Sequence, residues 1–468
     1  MNKNTKLIKD TVIYGIATLG PKAINVILLP VITNYFTTTE YGKWDLITTT
    51  ISLILPYISF EILSAVYRWL LDKKGMYNRQ QIISTGFFFT IRNIIVFNIL
   101  GLLFMSFFNV SHSLLILLMT DFIILSDFIK KCVRGLSYNK QYALIGTIQT
   151  LITLLTQITC IFLLKLRIET FFIGSIIGSL TALLIGWNIL QFHKYLSLDK
   201  YSKELIKILL NYSAPMIPAA ASWWVMNTSD RYVISIYLGL SANGVYSIAG
   251  KLPSIINMLK SIFQLAWQDS AILSYNDKDR DQYYSNIFKH YFRLLTSSCI
   301  VLISINPILM KLIVAERFYE AWKYTGILYI GTIFAAFSSF WGAAYHSSKN
   351  TKIILKTTLI GAVVNILVNI MFIKSLGLYA AAISTVAGYF IMWITRVLNR
   401  NNVFKIAIDK KDFFVLISIT VLALLLTFTG NMIINSCLII ISLFIFLIYN
   451  KYILTKLINF IKNKVVVG

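Results

Sequence analysis

Residues 13–44 read IYGIATLGPKAINVILLPVITNYFTTTEYGKW. The segment is apolar and long enough to cross a bilayer, whose hydrocarbon core takes about 20 residues of helix. Gly20-Pro21 interrupts it near the middle, where proline removes a backbone hydrogen bond and bends the chain. Lys22 stands at that break. A lone ammonium at such depth costs about 2.5 kcal/mol or more, so a residue of this kind faces a cavity or a partner. The end of the stretch recurs further on: residues 35–46, YFTTTEYGKWDL, lie over residues 237–248, YLGLSANGVYSI, without a gap. Glycine meets glycine, and aromatic residues meet at both ends. This is the pattern of a duplicated membrane protein.

Composition agrees. Hydrophobic residues make up 57% of the chain, charged residues 13%, and mean hydropathy is +0.72. Soluble globular proteins average about 45–50% apolar and about 25% charged. The apolar residues come in helix-length runs, not in the alternation of an outer-membrane barrel. MNKNTKLIKD leads into the first run with no small-residue cleavage site, so it reads as retained. The four cysteines, Cys132, Cys160, Cys299 and Cys437, are far apart in or beside apolar runs, which suits small buried hydrophobes better than a metal site or disulfides.

Apolar runs against turn and charge signals give fourteen spans: 10–35, 43–71, 82–108, 113–133, 142–164, 170–191, 207–238, 242–270, 286–314, 324–347, 352–373, 378–400, 412–430 and 432–450. With the N-terminus inside, the cytoplasmic segments hold 28 basic residues and the opposite face 6. That positive-inside bias supports the span count and places both termini in the cytoplasm. It also accounts for the net charge of +24 without nucleic acid as a partner. Six spans separate the two copies of the repeat, so both halves enter the membrane in the same direction. The expected fold is all-α and polytopic: a six-helix bundle over 1–191, a linker over 192–206, a second bundle over 207–400, and two extra helices with a cytoplasmic tail over 401–468. The linker reads as a short interfacial amphipathic helix, and a substrate site is expected between the bundles.

The deep charges are mostly positive. Lys22 and Arg92 lie in the first half, and Arg231, Lys251 and Lys260 in the second. Cations converging on a cavity suit a diphosphate, to which each donates charge-assisted hydrogen bonds. Local ion pairs, Arg92 with Glu61 or Arg231 with Asp230, are the ordinary alternative. A second group is rich in oxygen: Asp230, Thr385, and Asn365 with Asn369, one helical turn apart. Such groups can ligate a small hard cation such as sodium, although Asn and Thr also serve as polar glue between helices. Trp223-Trp224 suits either stacking on sugar rings or an interfacial belt. Enzyme signals are weak: the D-x-D in Asp277-Lys278-Asp279 sits in a short charged loop, and no phosphate-binding glycine loop occurs.

Residues 28–46 (LLPVITNYFTTTEYGKWDL), 212–253 (YSAPMIPAAASWWVMNTSDRYVISIYLGLSANGVYSIAGKLP) and 318–328 (FYEAWKYTGIL) resemble the Wzx-type polysaccharide flippases of the multidrug/oligosaccharidyl-lipid/polysaccharide exporter superfamily. The resemblance covers essentially the whole chain. It implies two six-helix bundles with two appended helices in the bacterial cytoplasmic (inner) membrane. It also implies alternating-access transfer of undecaprenyl-diphosphate-linked oligosaccharide, such as O-antigen, lipopolysaccharide or capsule repeat units, to the outer leaflet. Polymerase and chain-length proteins of the same pathway would be partners. Lys22 and Lys251 match cationic positions of relatives that flip the peptidoglycan lipid precursor, and Gly20 and Pro21 would hinge a lateral gate. Asp230, Asn365, Asn369 and Thr385 would match a sodium site of some relatives; sodium or protons would then drive transport, with no other cofactor. The neutral Asn369 departs from a second carboxylate there. The rival functions are a cation-coupled multidrug antiporter of the same superfamily, a membrane glycan polymerase or ligase, and an assembly scaffold.

Overall fold

The computed structural model describes residues 28–72, 77–348, 350–399 and 404–466, and Gly20, Pro21 and Lys22 lie outside them. No strand occurs among the described residues. Eight helices there are long and apolar enough to cross a membrane, and a bent pair makes a ninth. Thirteen of the fourteen expected spans coincide with a helix or a run of broken helices, and the first is described only from residue 28. The chain divides into two compact units, Met1–Arg231 and Tyr232–Gly468.

The first unit contains α1 (Leu29–Tyr35), α2 (Thr38–Ser59), α3 (Ile62–Leu71), α4 (Arg79–Phe107), α5 (Ser113–Gly135), α6 (Asn139–Phe162), α7 (Glu169–Leu190), α8 (Lys203–Ser213) and α9 (Met216–Thr228). The second span, expected as one helix, is broken: α2 and α3 meet at 59°. Pro56 deletes a donor inside α2, and Phe60 and Glu61 take left-handed backbone (φ 50° and 51°) that ends it. The carbonyls loosened there are not left bare. Asn93 of α4 donates to Ile58 (3.1 Å), and Ser213 of α8 donates to Phe60 (2.7 Å). In hydrocarbon such a break holds only where neighbouring side chains take over the backbone groups.

The linker 192–206 is not the amphipathic α-helix expected. Two short turns, Phe192–Tyr195 and Leu198–Lys200, precede α8. Phe192 is fully buried, and Ser84 and Thr85 of α4 bind the linker backbone at Tyr195, Ser197, Lys200 and Ser202. Those hydroxyls compete with helical hydrogen bonds and win. The seventh span is also split, at Pro215, so that α8 packs on α3 and α4 while α9 packs on α2. Ile62, Val66, Ile83, Phe128, Cys132, Ala182 and Leu209 form the core between these helices. Cys160 and Cys299 are buried too, whereas Cys437 is exposed.

The second unit carries on from α10 (Asp230–Tyr237) with α11 (Gly239–Ala249), α12 (Lys251–Leu273), α13 (Arg280–Ile313), α14 (Glu316–Tyr319), α15 (Ala321–Ser347), α16 (Thr351–Leu376), α17 (Leu378–Leu398), α18 (Lys410–Thr427) and α19 (Met432–Val466). Its central helix, α15, is buried along nearly its whole length. Phe288, Phe337, Phe340, Trp341 and Trp393 pack edge to face around it. α18 and α19 lean on α13 through Arg293–Asp412 (2.5 Å) and Asn450–Ser297 (2.8 Å). The outer faces of α4 and α16 expose Ile99, Leu103, Phe104, Val363, Leu367 and Met371. So large an apolar surface belongs in lipid.

In both units one helix pair is closely packed through glycine. A Cβ on Gly178 of α7 would stand 2.9 Å from the Gln149 carbonyl oxygen of α6 and closer still to Thr153. A Cβ on Gly388 of α17 would stand 2.9 Å from the Gly361 carbonyl oxygen of α16. Small residues let backbones approach where lipid offers no hydrophobic drive for helix association.

Candidate functional site

The two copies of the repeat take up the same local path. In the first, α1 ends at Tyr35 and α2 restarts at Thr38 after an N-cap at Thr37. Thr37 Oγ1 accepts from the Glu40 N–H, and the Glu40 carboxylate accepts from the Thr37 N–H (2.9 Å), closing a capping box. In the second, α10 ends at Tyr237 and α11 begins at Gly239, whose φ of 88° needs glycine. Arg167 reaches back to the first copy, donating to both Glu40 oxygens (2.7 and 2.6 Å) and to the Tyr35 carbonyl. Burial pushes the Glu40 carboxyl up, but the Arg167 and Thr37 hydrogen bonds outweigh it, and the group titrates below the usual carboxylate range.

Within the first copy α2 also carries Asp45, a carboxylate that sequence reasoning passed over. It pairs with Arg231 (Nε–Oδ2 3.1 Å), and both side chains are only 13–14% exposed. Arg231 therefore has a carboxylate partner other than Asp230, and much of its charge is compensated. Asp230 is buried in the first turn of α10, where its negative charge faces the positive helix end. Arg92 is exposed on α4. It lies over the Phe89 ring (4.6 Å) and donates to Asn93, and among the described residues it forms no ion pair with Glu61, whose carboxylate accepts from Ser64.

Lys251 and Lys260 share α12 but do not converge. Nine residues separate them, which at about 100° per residue places them on opposite faces. Lys260 borders an apolar pocket of about 520 Å³ between α12, α13 and α19, beside Phe263, His290, Tyr291 and Tyr452. Lys251 occupies the first position of α12, directly after the turn at Gly250 that splits the eighth span. A cation in the first turn opposes the helix macrodipole. Local helix stability does not account for it.

Of the oxygen-rich group, α16 buries Asn365 and Asn369 on one face, each 1% exposed. Gly388 of α17 packs against Asn365, and both polar atoms of the Asn369 amide lack a hydrogen-bond partner among the described residues. Thr385 donates to the Ala381 carbonyl and turns its methyl toward Gly331 of α15. In the first unit α4 and α5 join Asn98 to Asp121 (2.8 Å), leaving Asn98 Oδ1 and Asp121 Oδ1 without partners among the described residues. Asp121 falls midway along the expected span 113–133, where an acid is conspicuous, but nothing in the sequence marks Asn98 as its partner. The tryptophan pair divides: Trp224 donates its indole N–H to the Thr49 carbonyl (2.9 Å) and locks α9 on α2, while Trp223 remains exposed.

Residues 7–267 match the family described as Polysaccharide biosynthesis protein. The chain belongs to that family. A 229-residue stretch is 23% identical to an uncharacterized membrane protein of Methanocaldococcus jannaschii, covering 48% of this chain and 45% of that one. The chain thus spans under half the length of this curated relative. Among solved structures it is similar to the lipid II flippase MurJ in an inward closed conformation, with TM-score 0.72, 15% identity, 96% of this chain and 100% of that chain covered. It is also similar to a multidrug resistance MATE family transporter of the MOP superfamily in an inward-facing conformation, with TM-score 0.70, 12% identity and 83% and 94% covered. A MOP superfamily transporter from Pyrococcus furiosus, whose binding pocket is described as reversed in polarity, gives TM-score 0.61, 14% identity and 84% and 95% covered. These likenesses establish the fold: a multi-pass helical membrane protein of the MurJ/MATE type.

Proposed function

We propose that the protein translocates undecaprenyl-diphosphate-linked oligosaccharide repeat units from the cytoplasmic to the outer leaflet by alternating access, in the inner membrane, for surface polysaccharide assembly. Lys251 carries the reading. It is a cation at a helix break beside the repeat, in a helix position where its charge works against the dipole. A sugar head group cannot cross hydrocarbon unaided, and its diphosphate needs cations wherever the dielectric is low. Lys22, by its position at Gly20-Pro21, is the matching cation of the first span. Arg92 offers an exposed guanidinium, while Arg231 acts chiefly through Asp45. The buried amides Asn365 and Asn369 support a coupling-cation role for that group. Polymerase and chain-length proteins would receive the product.

The test is a deletion strain complemented with Lys251→Ala. Surface polysaccharide should fall at least about tenfold, as expected from losing one charge-assisted contact of about 1.4 kcal/mol, at unchanged protein in the membrane. Glycan-linked lipid should build up on the cytoplasmic leaflet. Wild-type polymer with the variant, or a deletion strain with altered drug susceptibility and normal polymer, refutes the assignment.

A further inference from the structure

Outside the candidate site, one cation of the second unit lies in unusual surroundings. Arg396, in the last turn of α17, is 2% exposed. Its Nε donates to Thr357 Oγ1 (3.0 Å), Nη2 to Thr358 Oγ1 (3.0 Å) and the Ile354 carbonyl (3.4 Å), and Nη1 to the Ser338 carbonyl. Every one of these acceptors is neutral. The two acids that follow it in the chain, Asp409 and Asp412, are engaged by Lys289 (2.9 Å) and Arg293 (2.5 Å). Among the described residues no carboxylate pairs with Arg396. Gly342 keeps the space open, since a Cβ there would sit 3.1 Å from Nη1. A guanidinium has five N–H donors, so one on Nη1 remains unused among the described residues.

Arg396 borders a pocket of about 260 Å³, whose walls include Trp341, Tyr345, Asn399, Phe404 and Lys405. Two cations and an amide face this chamber and, among the described residues, no acid does. Residues 404–407 are tied to the helices beside it: Ala407 N–H donates to Ser285 Oγ (2.9 Å), and Phe404 packs on Tyr345 at 4.9 Å. A buried charge held only by neutral dipoles is costly, and an anion delivered to its free donor relieves that cost.

We propose that this pocket binds a phosphoryl anion, either the head-group phosphate of an anionic phospholipid or free inorganic phosphate. Arg396 supplies its remaining Nη1–H, Lys405 a second cation and Asn399 an amide donor. None of the candidate transport residues lines it.

The full-length protein in phosphatidylcholine nanodiscs tests the proposal by its unfolding midpoint. One arm adds inorganic phosphate against chloride at matched ionic strength, and the other replaces part of the phosphatidylcholine with phosphatidylglycerol. The midpoint should rise in at least one arm: with phosphate if the free ion is the ligand, with phosphatidylglycerol if it is the lipid. Lys405→Glu should weaken the response at least about tenfold, the loss of one charge-assisted contact. Lys411→Glu, the same charge change on an exposed residue outside the pocket, should keep it. Asn399→Asp, which supplies an internal anion, should abolish it. No rise in either arm, equal losses in Lys405→Glu and Lys411→Glu, or a full response in Asn399→Asp overturns the proposal.

Discussion

The first copy of the repeat reaches its helix restart with side chains, the second with backbone freedom. Thr37 and Glu40 close a capping box on α2, whereas the position aligned with Thr37 is Gly239 at φ 88°. The charges differ more. Asp45, answered by Arg231, aligns with the neutral Ser247, and Thr49, whose carbonyl holds Trp224, aligns with Lys251. The duplicated backbone path is thus kept while its charges are reassigned: the first copy is neutralised, and the second carries a cation that the helix itself does not favour. Away from the repeat the units agree again, since Gly178 and Gly388 each bring a helix against a neighbouring carbonyl.

The sharpest way to break this comparison is to remove one half of the Asp45–Arg231 pair. Asp45→Ala should cost about 3 kcal/mol, because it strands a largely buried guanidinium, and Asp45→Leu with Arg231→Met should recover most of that. Ser247→Ala at the aligned position removes a buried neutral hydroxyl and strands no charge, so it should cost about 1 kcal/mol. Thermal or denaturant unfolding in micelles reads all three, and equal effects of Asp45→Ala and Ser247→Ala would erase the difference claimed. Next, Gly178→Ala and Gly388→Ala should each destabilise by about 1–3 kcal/mol through overpacking. A neutral Gly388→Ala would show that the two close approaches are not equivalent.

Smaller effects sharpen the two helix restarts. Thr37→Ala should cost about 1 kcal/mol through the lost cap. Gly239→Ala should cost about 1–2 kcal/mol through left-handed strain alone, as no atom lies within 4 Å of an added Cβ. Restoring Gly239→Asn, which tolerates that backbone, should recover part of the loss. The smallest effect is electrostatic. Glu40 titrates below the usual carboxylate range when folded, so its contribution is complete above the unfolded value and fades as pH falls through the folded one. Arg167 is half exposed, so Glu40→Gln should cost under about 1 kcal/mol at neutral pH and nothing in strong acid, as pH-dependent unfolding would read.

Helix-length apolar runs and the spread of Lys and Arg carried the all-helical, many-span fold in the sequence, because the bilayer sets length and leaves backbone groups no other partner. The repeat pointed to a duplication, but the expected span starts at 43 and 242 fell short of the helix starts at 38 and 239. The breaks were harder to see. Phe60 and Glu61 are ordinary helix residues, and their left-handed backbone depends on Ser213 and Asn93 from helices distant in the chain. The linker turned on Ser84 and Thr85 for the same reason. Among the charges, position along the chain exposed Lys251 but mispaired Arg231, since a neighbouring Asp230 is visible in sequence and a partner at Asp45 is not. That Lys251 and Lys260 face apart was legible all along, since the expected span 242–270 carries both and nine positions set them half a turn round.

The elbow between α2 and α3 fixes more than a direction. Straightening it would return the Ile58 and Phe60 carbonyls to the helix's own N–H groups and strand the Asn93 amide and the Ser213 hydroxyl, the two donors that hold them now. At about 1–3 kcal/mol for each, the straight conformer would be populated at no more than a few per cent. Any motion of this span therefore pivots about the joint as a preformed angle, and carries α4 and α8 with it as fellow travellers.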